Sequence, residues 1–249
     1  MQNEFLLETI REQDPNILCP VAKERTIYYA VKRILDFSLA LVLLILLFPL
    51  MVLIALLIYV YSPGPVFFIQ ERVGAERQFN GKLSYWKRVN FRCIKFRTMK
   101  INADPAIHRA YVKALIENDE QRMAALQSQT TQVRKLVKDS RIIRPGIFLR
   151  KLSLDELPQL WNVLRGEMSL VGPRPAIPYE VDMYRSWHLK RLEAQPGITG
   201  LQQVTARSTA DFDQQVRLDI EYIEKQSILF DLKIIIKTPL VIFSTKGAY

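Results

Sequence analysis

The longest apolar stretch of the chain runs from Phe37 to Tyr61, and only Ser38 and Pro49 interrupt it. A helix that crosses a membrane needs about 20 apolar residues in a row. A helix that is apolar on every side is typical of a lipid environment rather than of a soluble domain of this size. The pattern therefore predicts that this segment inserts into a membrane.

Positive charges flank the apolar stretch on both sides. They precede it at Lys23, Arg25, Lys32 and Arg33 and follow it at Arg72, Arg77, Lys82, Lys87, Arg88, Arg92 and Lys95. Lys and Arg mark the cytoplasmic side of a membrane segment, so a straight crossing satisfies only one flank. Pro49, near the middle, removes a helix hydrogen bond and bends the chain. The pattern favours a helix-break-helix hairpin that returns to the same face, with a kinked membrane-crossing helix as the alternative.

Short alternating patterns after the membrane segment predict two strands. Residues 66–73 and 91–99 alternate apolar and polar positions in the manner of strands. The basic residues 74–90 between them are predicted to form a loop whose aromatic side chains make a collar at the membrane interface. Nucleic-acid binding by this loop is the less favoured alternative. Its aromatic residues are Phe79, Tyr85 and Trp86.

Helical periodicity predicts most of the remaining elements. Residues 104–140 fit one or two amphipathic helices, and residues 179–192 and 212–225 fit one helix each. The C-terminal segment 228–243 is apolar, but charged residues and a proline interrupt it too often for a membrane crossing. It fits an amphipathic helix in the membrane interface as well as it fits a helix packed into the globule.

Composition narrows the class of partner. The 249 residues suffice for one substantial domain plus an anchor. The 35 Lys and Arg residues against 25 Asp and Glu residues give a net charge of +10, which suits anionic lipid, phosphorylated substrates or nucleic acid. Cys19 and Cys93 make no disulfide framework, and no zinc-type Cys/His spacing occurs. His108 and His188 are isolated and are expected at the surface or in packing contacts.

Candidate chemistry concentrates in residues 150–175, which read RKLSLDELPQLWNVLRGEMSLVGPRP. Asp155 and Glu156 stand just before a proline, a residue that helices tolerate only in the first turn. A helix is therefore predicted to begin near Asp155 and to end at Gly166. Both carboxylates would then lie at a helix N-terminus, which favours negative charge. The alternative is purely structural, since Ser153 to Glu156 also fits a capping box.

Basic residues frame the carboxylate pair. Arg150 precedes it, and Arg174 follows it between two prolines that stiffen the backbone. An arginine held in this way suits bidentate phosphate binding. Lys95 and Arg97 are two residues apart in a predicted strand, so both are expected on one face, where they offer two cations to a phosphate. A solvated basic edge is the alternative for these two residues.

Residues 150–175 as a whole resemble the signature of the bacterial sugar transferase family, the monotopic polyprenyl-phosphate phosphoglycosyl transferases. Three further motifs resemble the family in the same order, namely GPVFFIQERVG, KFRTM, and PGITG followed by LQQV and Arg207. The resemblance favours the re-entrant form of the membrane segment. Two features depart from the family pattern, because residues 74–90 are longer than the usual joining loop and Ala206 replaces a glycine.

The resemblance implies transfer of a sugar-1-phosphate from a nucleotide diphosphate sugar to polyprenyl phosphate, with UMP leaving from a UDP-sugar. By position, Asp155 would be the nucleophile that forms a phosphosugar-aspartyl intermediate. Glu156, next to Asp155, would help to hold Mg²⁺ against the donor diphosphate. The remaining candidates for phosphate or substrate binding are Arg150, Arg174, Lys95, Arg97, Arg207 and Asp231.

Pattern and resemblance together predict an α+β, predominantly helical fold, with a small cytosolic catalytic domain on a re-entrant membrane helix-break-helix and with interfacial amphipathic helices. The expected parts are a tail (1–30), a membrane hairpin (31–62) and a catalytic domain (63–249) with a helical insertion (104–140). The expected location is the bacterial cytoplasmic membrane, with the catalytic domain on the cytoplasmic face. The expected partners are a nucleotide sugar, polyprenyl phosphate and membrane lipid, without nucleic acid. The sugar, the pathway product and assembly into a homo-oligomer stay open.

Two other functions account for part of the sequence. A non-enzymatic membrane adaptor that binds anionic lipid would explain the charge and the anchor, but it gives no reason for the carboxylate pair. A glycosyl transferase acting on a lipid acceptor without phosphate transfer would release UDP rather than UMP.

Overall fold

The computed structural model describes most of the chain between residues 14 and 243. The described residues are 14, 16–20, 25–79, 81, 84–104, 106–127, 141–206 and 210–243. The strands are β1 (Ile17–Pro20), β2 (Phe67–Phe79), β3 (Ser84–Phe96), β4 (Ser169–Val171) and β5 (Gly197–Thr199). The α-helices are α1 (Thr26–Tyr61), α2 (Ala106–Glu117), α3 (Glu120–Gln127), α4 (Arg144–Lys151), α5 (Gln159–Arg165), α6 (Pro178–Val181), α7 (Leu201–Thr205), α8 (Phe212–Lys225) and α9 (Ile228–Phe243). The fold mixes helix and sheet and is mainly helical, as predicted.

The apolar stretch forms α1, which begins at Thr26 and runs through Pro49 as one helix. The sequence predicted two helices separated by a break, whereas the structure has one uninterrupted helix at Pro49; return of this helix to the same membrane face stays a prediction. A single proline removes one backbone hydrogen bond, which the rest of a 36-residue helix outweighs. Among the described residues, α1 is the one helix whose length and composition would allow it to cross a membrane.

Both ends of α1 pack against the globule. Its buried residues are Lys32, Asp36 and Ala40 before the proline and Ile54 and Ile58 after it. None of the residues from 41 to 53 is buried. The first end joins a core cluster under α5 and β4, and the second joins a cluster with β3 and α4. The helix is therefore attached to the rest of the protein at both ends and exposed between them.

The strands β2 and β3 form one long antiparallel hairpin, paired from Phe67 opposite Phe96 to Phe79 opposite Ser84. The two predicted strands exist, although residues 66 and 97–99 lie outside them, and the predicted loop 74–90 is mostly the outer half of this hairpin. This half mixes polar and aromatic residues without a regular alternation, so the sequence did not predict strands there. The strand β1, from a distant part of the chain, stabilises it by pairing with β3. The structure also corrects the predicted role of Trp86, which is buried.

The predicted helices agree with the structure to different extents. The helix α8 has the predicted bounds, and Asp211 caps its start by accepting a hydrogen bond from the backbone N of Gln214. Helices α2 and α3 fill much of the predicted region 104–140, of which residues 105 and 128–140 lie outside the described residues. The predicted helix 179–192 divides into α6 and a 3₁₀ turn, because His188 accepts a hydrogen bond from the backbone N of Arg185 and starts a new turn.

The C-terminal helix α9 combines both alternatives that its sequence allowed. One side packs into the globule through buried Asp231 and Ile234. The other side carries a stripe of exposed apolar residues at helical spacing, consisting of Leu229, Leu232, Ile236, Leu240 and Phe243. The helix is therefore amphipathic in the structure, with an apolar surface like that of helices that lie in a membrane interface.

Candidate active site

The carboxylate pair lies in a 3₁₀ turn, Leu154–Glu156, rather than in the first turn of a helix. The helix α5 runs from Gln159 to Arg165 and is capped by Gly166, which takes the left-handed conformation with φ 80°. The predicted end was right, but the predicted start was too early, because Ser153 is also left-handed (φ 56°) and begins a tight turn instead. The side chain of Ser153 makes no capping hydrogen bond, so the capping-box alternative is not realised.

Glu156 forms an ion pair with Lys95 of β3, with 2.6 Å between Oε1 and Nζ. Burial by itself would raise the pKa of Glu156. The positive charges of Lys95 and Arg174, and more weakly that of Arg72, instead lower this pKa to about 2. The structure thus brings three predicted site residues together and holds Glu156 as an anion at neutral pH.

Asp155 lies next to this ion pair with 9% of its surface exposed. The turn that carries it is closed by backbone hydrogen bonds from Glu156 to Ser153 (3.2 Å) and from Leu157 to Leu154 (3.3 Å). The backbone of this turn is therefore fixed, and the Asp155 side chain is mostly buried, where nearby charges act more strongly than they do in water.

Arg150 lies at the end of α4, where its carbonyl accepts a hydrogen bond from the backbone N of Ser153 at 3.2 Å, just before the carboxylate pair. Its Nε donates a hydrogen bond to Oγ1 of Thr98 at 2.8 Å. Gly146 lets α4 lie directly against this segment, because a Cβ there would collide with the carbonyl of Thr98. The glycine in the first half of α4 thus decides where the arginine at its end is placed.

The loop that carries Arg174 is held by very close backbone packing. The backbone N of Gly172 donates to the carbonyl of Thr199 at 2.9 Å, and the backbone N of Gly197 donates to the carbonyl of Pro173 at 2.8 Å. A Cβ on either glycine would collide with the facing backbone. The GPRP and PGITG motifs, 20 residues apart in the sequence, therefore form one unit, in which Arg174 is exposed.

Sequence reasoning missed Arg72 as a site residue. Its guanidinium is buried, and Nη1 donates to the carbonyl of Pro175 at 2.9 Å while Nη2 donates to Oε1 of Gln70 at 2.7 Å. Burial lowers the pKa of Arg72, and the nearby charge of Arg174 lowers it further. Arg72 therefore fixes the Arg174 loop from behind and adds positive charge. The available signal was its position in the motif GPVFFIQERVG.

Asn162 of α5 was also missed. Its Nδ2 donates to the carbonyl of Arg92 at 2.7 Å, and its Oδ1 accepts from the backbone N of Ile94 at 3.1 Å. The amide thus satisfies two backbone groups of β3 on the stretch that leads to Lys95. This contact joins the helix after the carboxylate pair to the strand that carries its cation, and no local sequence pattern indicates it.

Two of the predicted site residues, Asp231 and Arg97, occupy other surroundings. Asp231 lies in a buried cluster, where its carboxylate pairs with Lys32 at 2.9 Å and accepts from the hydroxyls of Tyr28 (2.9 Å) and Tyr222 (2.8 Å). These contacts tie α1, α8 and α9 together. Arg97 is buried under the turn that follows α1. Arg207 lies outside the described residues, and a substrate role for these three residues stays a prediction.

The donor set has a limited fit to a metal ion. The described residues include no group of three or more His, Cys, Asp or Glu side chains that could hold one. Asp155 and Glu156 offer adjacent carboxylates, and Mg²⁺ is commonly bound by one or two carboxylates together with substrate phosphates. The pair therefore fits Mg²⁺ when the diphosphate of a donor supplies further oxygen ligands.

Comparison with known proteins defines the class. A model of the bacterial sugar transferase family matches residues 27–245, and the chain therefore belongs to this family. It is a phosphoglycosyl transferase, as the resemblance implied. Family membership and the long apolar helix both indicate a membrane-associated protein.

Individual relatives add detail. The chain is 38% identical over 218 residues to the exopolysaccharide production protein ExoY of Sinorhizobium fredii, with 88% of both chains covered. It is 38% identical over 224 residues to the undecaprenyl-phosphate galactose phosphotransferase of Salmonella typhimurium, of which the match covers 42%. It is 37% identical over 228 residues to the UDP-glucose:undecaprenyl-phosphate glucose-1-phosphate transferase of Escherichia coli, of which the match covers 41%.

The ion pair predicts how activity depends on pH. In the wild type, Glu156 ionises at about 2, below its ordinary pKa of 4.5, so it stays charged through the acidic range. In Lys95→Met, fewer positive charges oppose the effect of burial, so the pKa of Glu156 rises. Activity is then lost as the pH falls through this higher pKa. We expect the acid limb of the pH–rate profile to move up by about one unit or more.

Lys113→Met is the matched control, because Lys113 forms an exposed pair with Glu117 at 3.8 Å. Its profile should superimpose on that of the wild type. An acid limb in Lys95→Met that coincides with the wild-type limb would contradict the role of Lys95 in keeping Glu156 charged.

Proposed function

We propose that this chain transfers a sugar-1-phosphate from a UDP-sugar to undecaprenyl phosphate and so begins the assembly of an exopolysaccharide, O-antigen or other glycoconjugate. The observation that carries the proposal is the cluster of Asp155 and Glu156 with Lys95 and the exposed Arg174. Anionic and cationic groups of this kind suit a reaction at phosphorus. The names of the Salmonella typhimurium and Escherichia coli relatives support the same reaction.

The reaction runs in two steps with Asp155 as the nucleophile. In the first step, a carboxylate oxygen of Asp155 bonds to the sugar-bearing phosphorus, the bond from that phosphorus to the bridging oxygen breaks, and UMP leaves. In the second step, an oxygen of the lipid phosphate bonds to the same phosphorus and the bond to Asp155 breaks. The two steps allow a water-soluble donor and a lipid acceptor to use one site in turn.

The cations have distinct tasks in this scheme. Lys95 keeps Glu156 ionised and in place. Arg174 is exposed and has no ion pair among the described residues, so it is available to bind the donor diphosphate. Mg²⁺, when held by Glu156 and Asp155, supplies further positive charge against the donor diphosphate.

The membrane helix is proposed to re-enter the cytoplasmic face of the bacterial inner membrane. Two contacts support this topology. Arg33, near the start of α1, donates to the carbonyls of Val163 and Leu164 at 2.6 and 2.7 Å. Ser62, just after its end, accepts from Arg97. Both ends of α1 are thus attached to one globule, which lies on one side of a bilayer, and a bend at Pro49 would place the exposed stretch 41–53 in lipid.

The re-entrant topology predicts that both termini are cytoplasmic. Cysteines placed at Gln2 and Ala248, in a chain whose Cys19 is replaced by Ser, should both react with a membrane-impermeant maleimide only after inner-membrane vesicles expose their cytoplasmic side. The buried Cys93 supplies the background control. Labelling of the two positions from opposite sides would refute the hairpin.

The nucleotide product separates the proposed reaction from its alternatives. The purified protein, given Mg²⁺, undecaprenyl phosphate and a panel of UDP-sugars, should release UMP with at least one donor. Release of UDP would identify a glycosyl transferase without phosphate transfer. No nucleotide release with any donor, from protein that binds anionic vesicles, would favour a lipid-binding adaptor.

A further inference from the structure

Arg97 is placed between the membrane helix and the catalytic segment. It follows directly after β3, and 5% of its surface is exposed. Its backbone N donates to the carbonyl of Val66 at 2.8 Å, and its Nη2 donates to the carbonyl of Ser62. The guanidinium therefore lies under residues 62–65, the turn that joins α1 to β2.

Two nitrogens of this guanidinium are unsatisfied. Nε and Nη1 of Arg97 are buried and have no hydrogen-bond partner among the described residues. No carboxylate in the described part of the chain lies within ion-pair distance of Arg97. A buried positive charge is unfavourable when no anion lies near it and its N–H groups lack acceptors. A bound anion would supply both the counter-charge and the acceptors. The planar guanidinium of arginine can donate two parallel hydrogen bonds to one phosphate group, so a phosphate fits this site well.

Exposed aromatic side chains flank the turn that covers this cation. The helix α1 ends with exposed Tyr59 and Tyr61, and β2 begins with exposed Phe67 and Phe68. Aromatic side chains of this kind gather where a membrane segment meets water. A phosphate that reaches Arg97 between these rings would therefore be carried by a lipid.

The same short segment also touches the catalytic residues. Lys95, two positions before Arg97, pairs with Glu156 at 2.6 Å, and Thr98, one position after it, accepts from Arg150 at 2.8 Å. Residues 95–98 thus contact Glu156 through Lys95, Arg150 through Thr98 and the turn after α1 through Arg97.

We propose that Arg97 binds the phosphate of the polyprenyl phosphate acceptor, a lipid-borne phosphate monoester, while Arg174 binds the diphosphate of the nucleotide sugar and Lys95 holds Glu156. This assignment rests on the proposed function. The turn 62–65 covers the guanidinium and has to move for the phosphate to enter. Gly64 in this turn has φ 125°, a backbone conformation that favours glycine.

The two half-reactions test the assignment separately. The full chain is reconstituted in nanodiscs, and exchange of labelled UMP into the UDP-sugar is measured without acceptor. Turnover is then measured against undecaprenyl phosphate at saturating donor. Arg97→Gln should raise the acceptor KM by about 10-fold or more and leave the exchange rate within about 2-fold. Arg92→Gln is the control, because Arg92 is an exposed arginine on the same strand.

Lipid composition distinguishes the acceptor from ordinary phospholipid. The rise in KM should be the same in zwitterionic nanodiscs and in nanodiscs that contain phosphatidylglycerol. A rise confined to the anionic nanodiscs would assign Arg97 to bilayer headgroups and overturn the proposal. An unchanged acceptor KM, or loss of UMP exchange in parallel with turnover, would overturn it as well.

Arg97→Lys keeps the test valid if the glutamine variant does not fold. Lysine retains the positive charge but cannot donate two parallel hydrogen bonds, so we expect an acceptor KM between those of the wild type and a variant without the charge. A lysine variant with the wild-type acceptor KM would overturn a role for the guanidinium. Absence of UMP exchange in the wild-type protein would instead refute the proposed function.

Discussion

Asp155→Asn should abolish sugar-phosphate transfer, with a loss of at least about 10³-fold in kcat. Asparagine has nearly the same shape as aspartate, but its neutral amide cannot form the bond to phosphorus. The 3₁₀ turn at this position is closed by backbone hydrogen bonds, so the change should leave the turn intact. Acid-quenched protein that has been incubated with radiolabelled UDP-sugar should carry label in the wild type and none in the variant.

Asp182→Asn is a suitable control, because Asp182 is exposed at the end of α6. It should retain wild-type turnover and labelling. Equal thermal stability of the two variants would exclude misfolding as the cause of the loss. Normal turnover by Asp155→Asn would refute the assignment of the nucleophile.

Glu156→Gln should reduce kcat by about 10²-fold or more and change the dependence of the rate on Mg²⁺. The substitution removes the negative charge that Lys95 holds in place at 2.6 Å. It also leaves the partly buried lysine without its anion, so the local charge balance changes by a full unit. Initial rates measured over a wide range of Mg²⁺ concentration should show a weaker or displaced activation by the metal.

Glu117→Gln provides the comparison for this variant, because Glu117 belongs to an exposed ion pair on α2. Exposed pairs of this type contribute little to stability or to the field at a distant site. The control should follow the wild-type Mg²⁺ curve. A Glu156→Gln curve that coincides with it in both height and midpoint would count against the metal role.

Local sequence patterns correctly predicted the elements that depend on residues close together in the chain. The helix α8 has the predicted bounds, because its apolar residues recur at helical spacing and Asp211 caps its start. The stop at Gly166 was also predicted, because a left-handed helix end favours glycine. The segment with Asp155 and Glu156 was found from its motif and its flanking arginines.

Local sequence patterns could not predict contacts between distant parts of the chain. The outer half of the β2–β3 hairpin depends on β1, which lies more than 60 residues away from its partner positions on β3. Arg72 and Asn162 act on backbone carbonyls of other segments, and apart from the position of Arg72 in the motif GPVFFIQERVG no local pattern indicates their roles. No local pattern indicated the buried ion pair of Asp231 with Lys32, which forms because a buried cation on α1 requires a counter-charge.

The most direct test of the account is peptide mass spectrometry of protein quenched in acid after incubation with Mg²⁺ and its UDP-sugar in the absence of acceptor. The account predicts the added mass of one sugar phosphate on the peptide that contains Asp155, and loss of that mass when undecaprenyl phosphate is added before the quench. Modification of a different residue, or turnover at the normal rate without any covalent adduct, would contradict it.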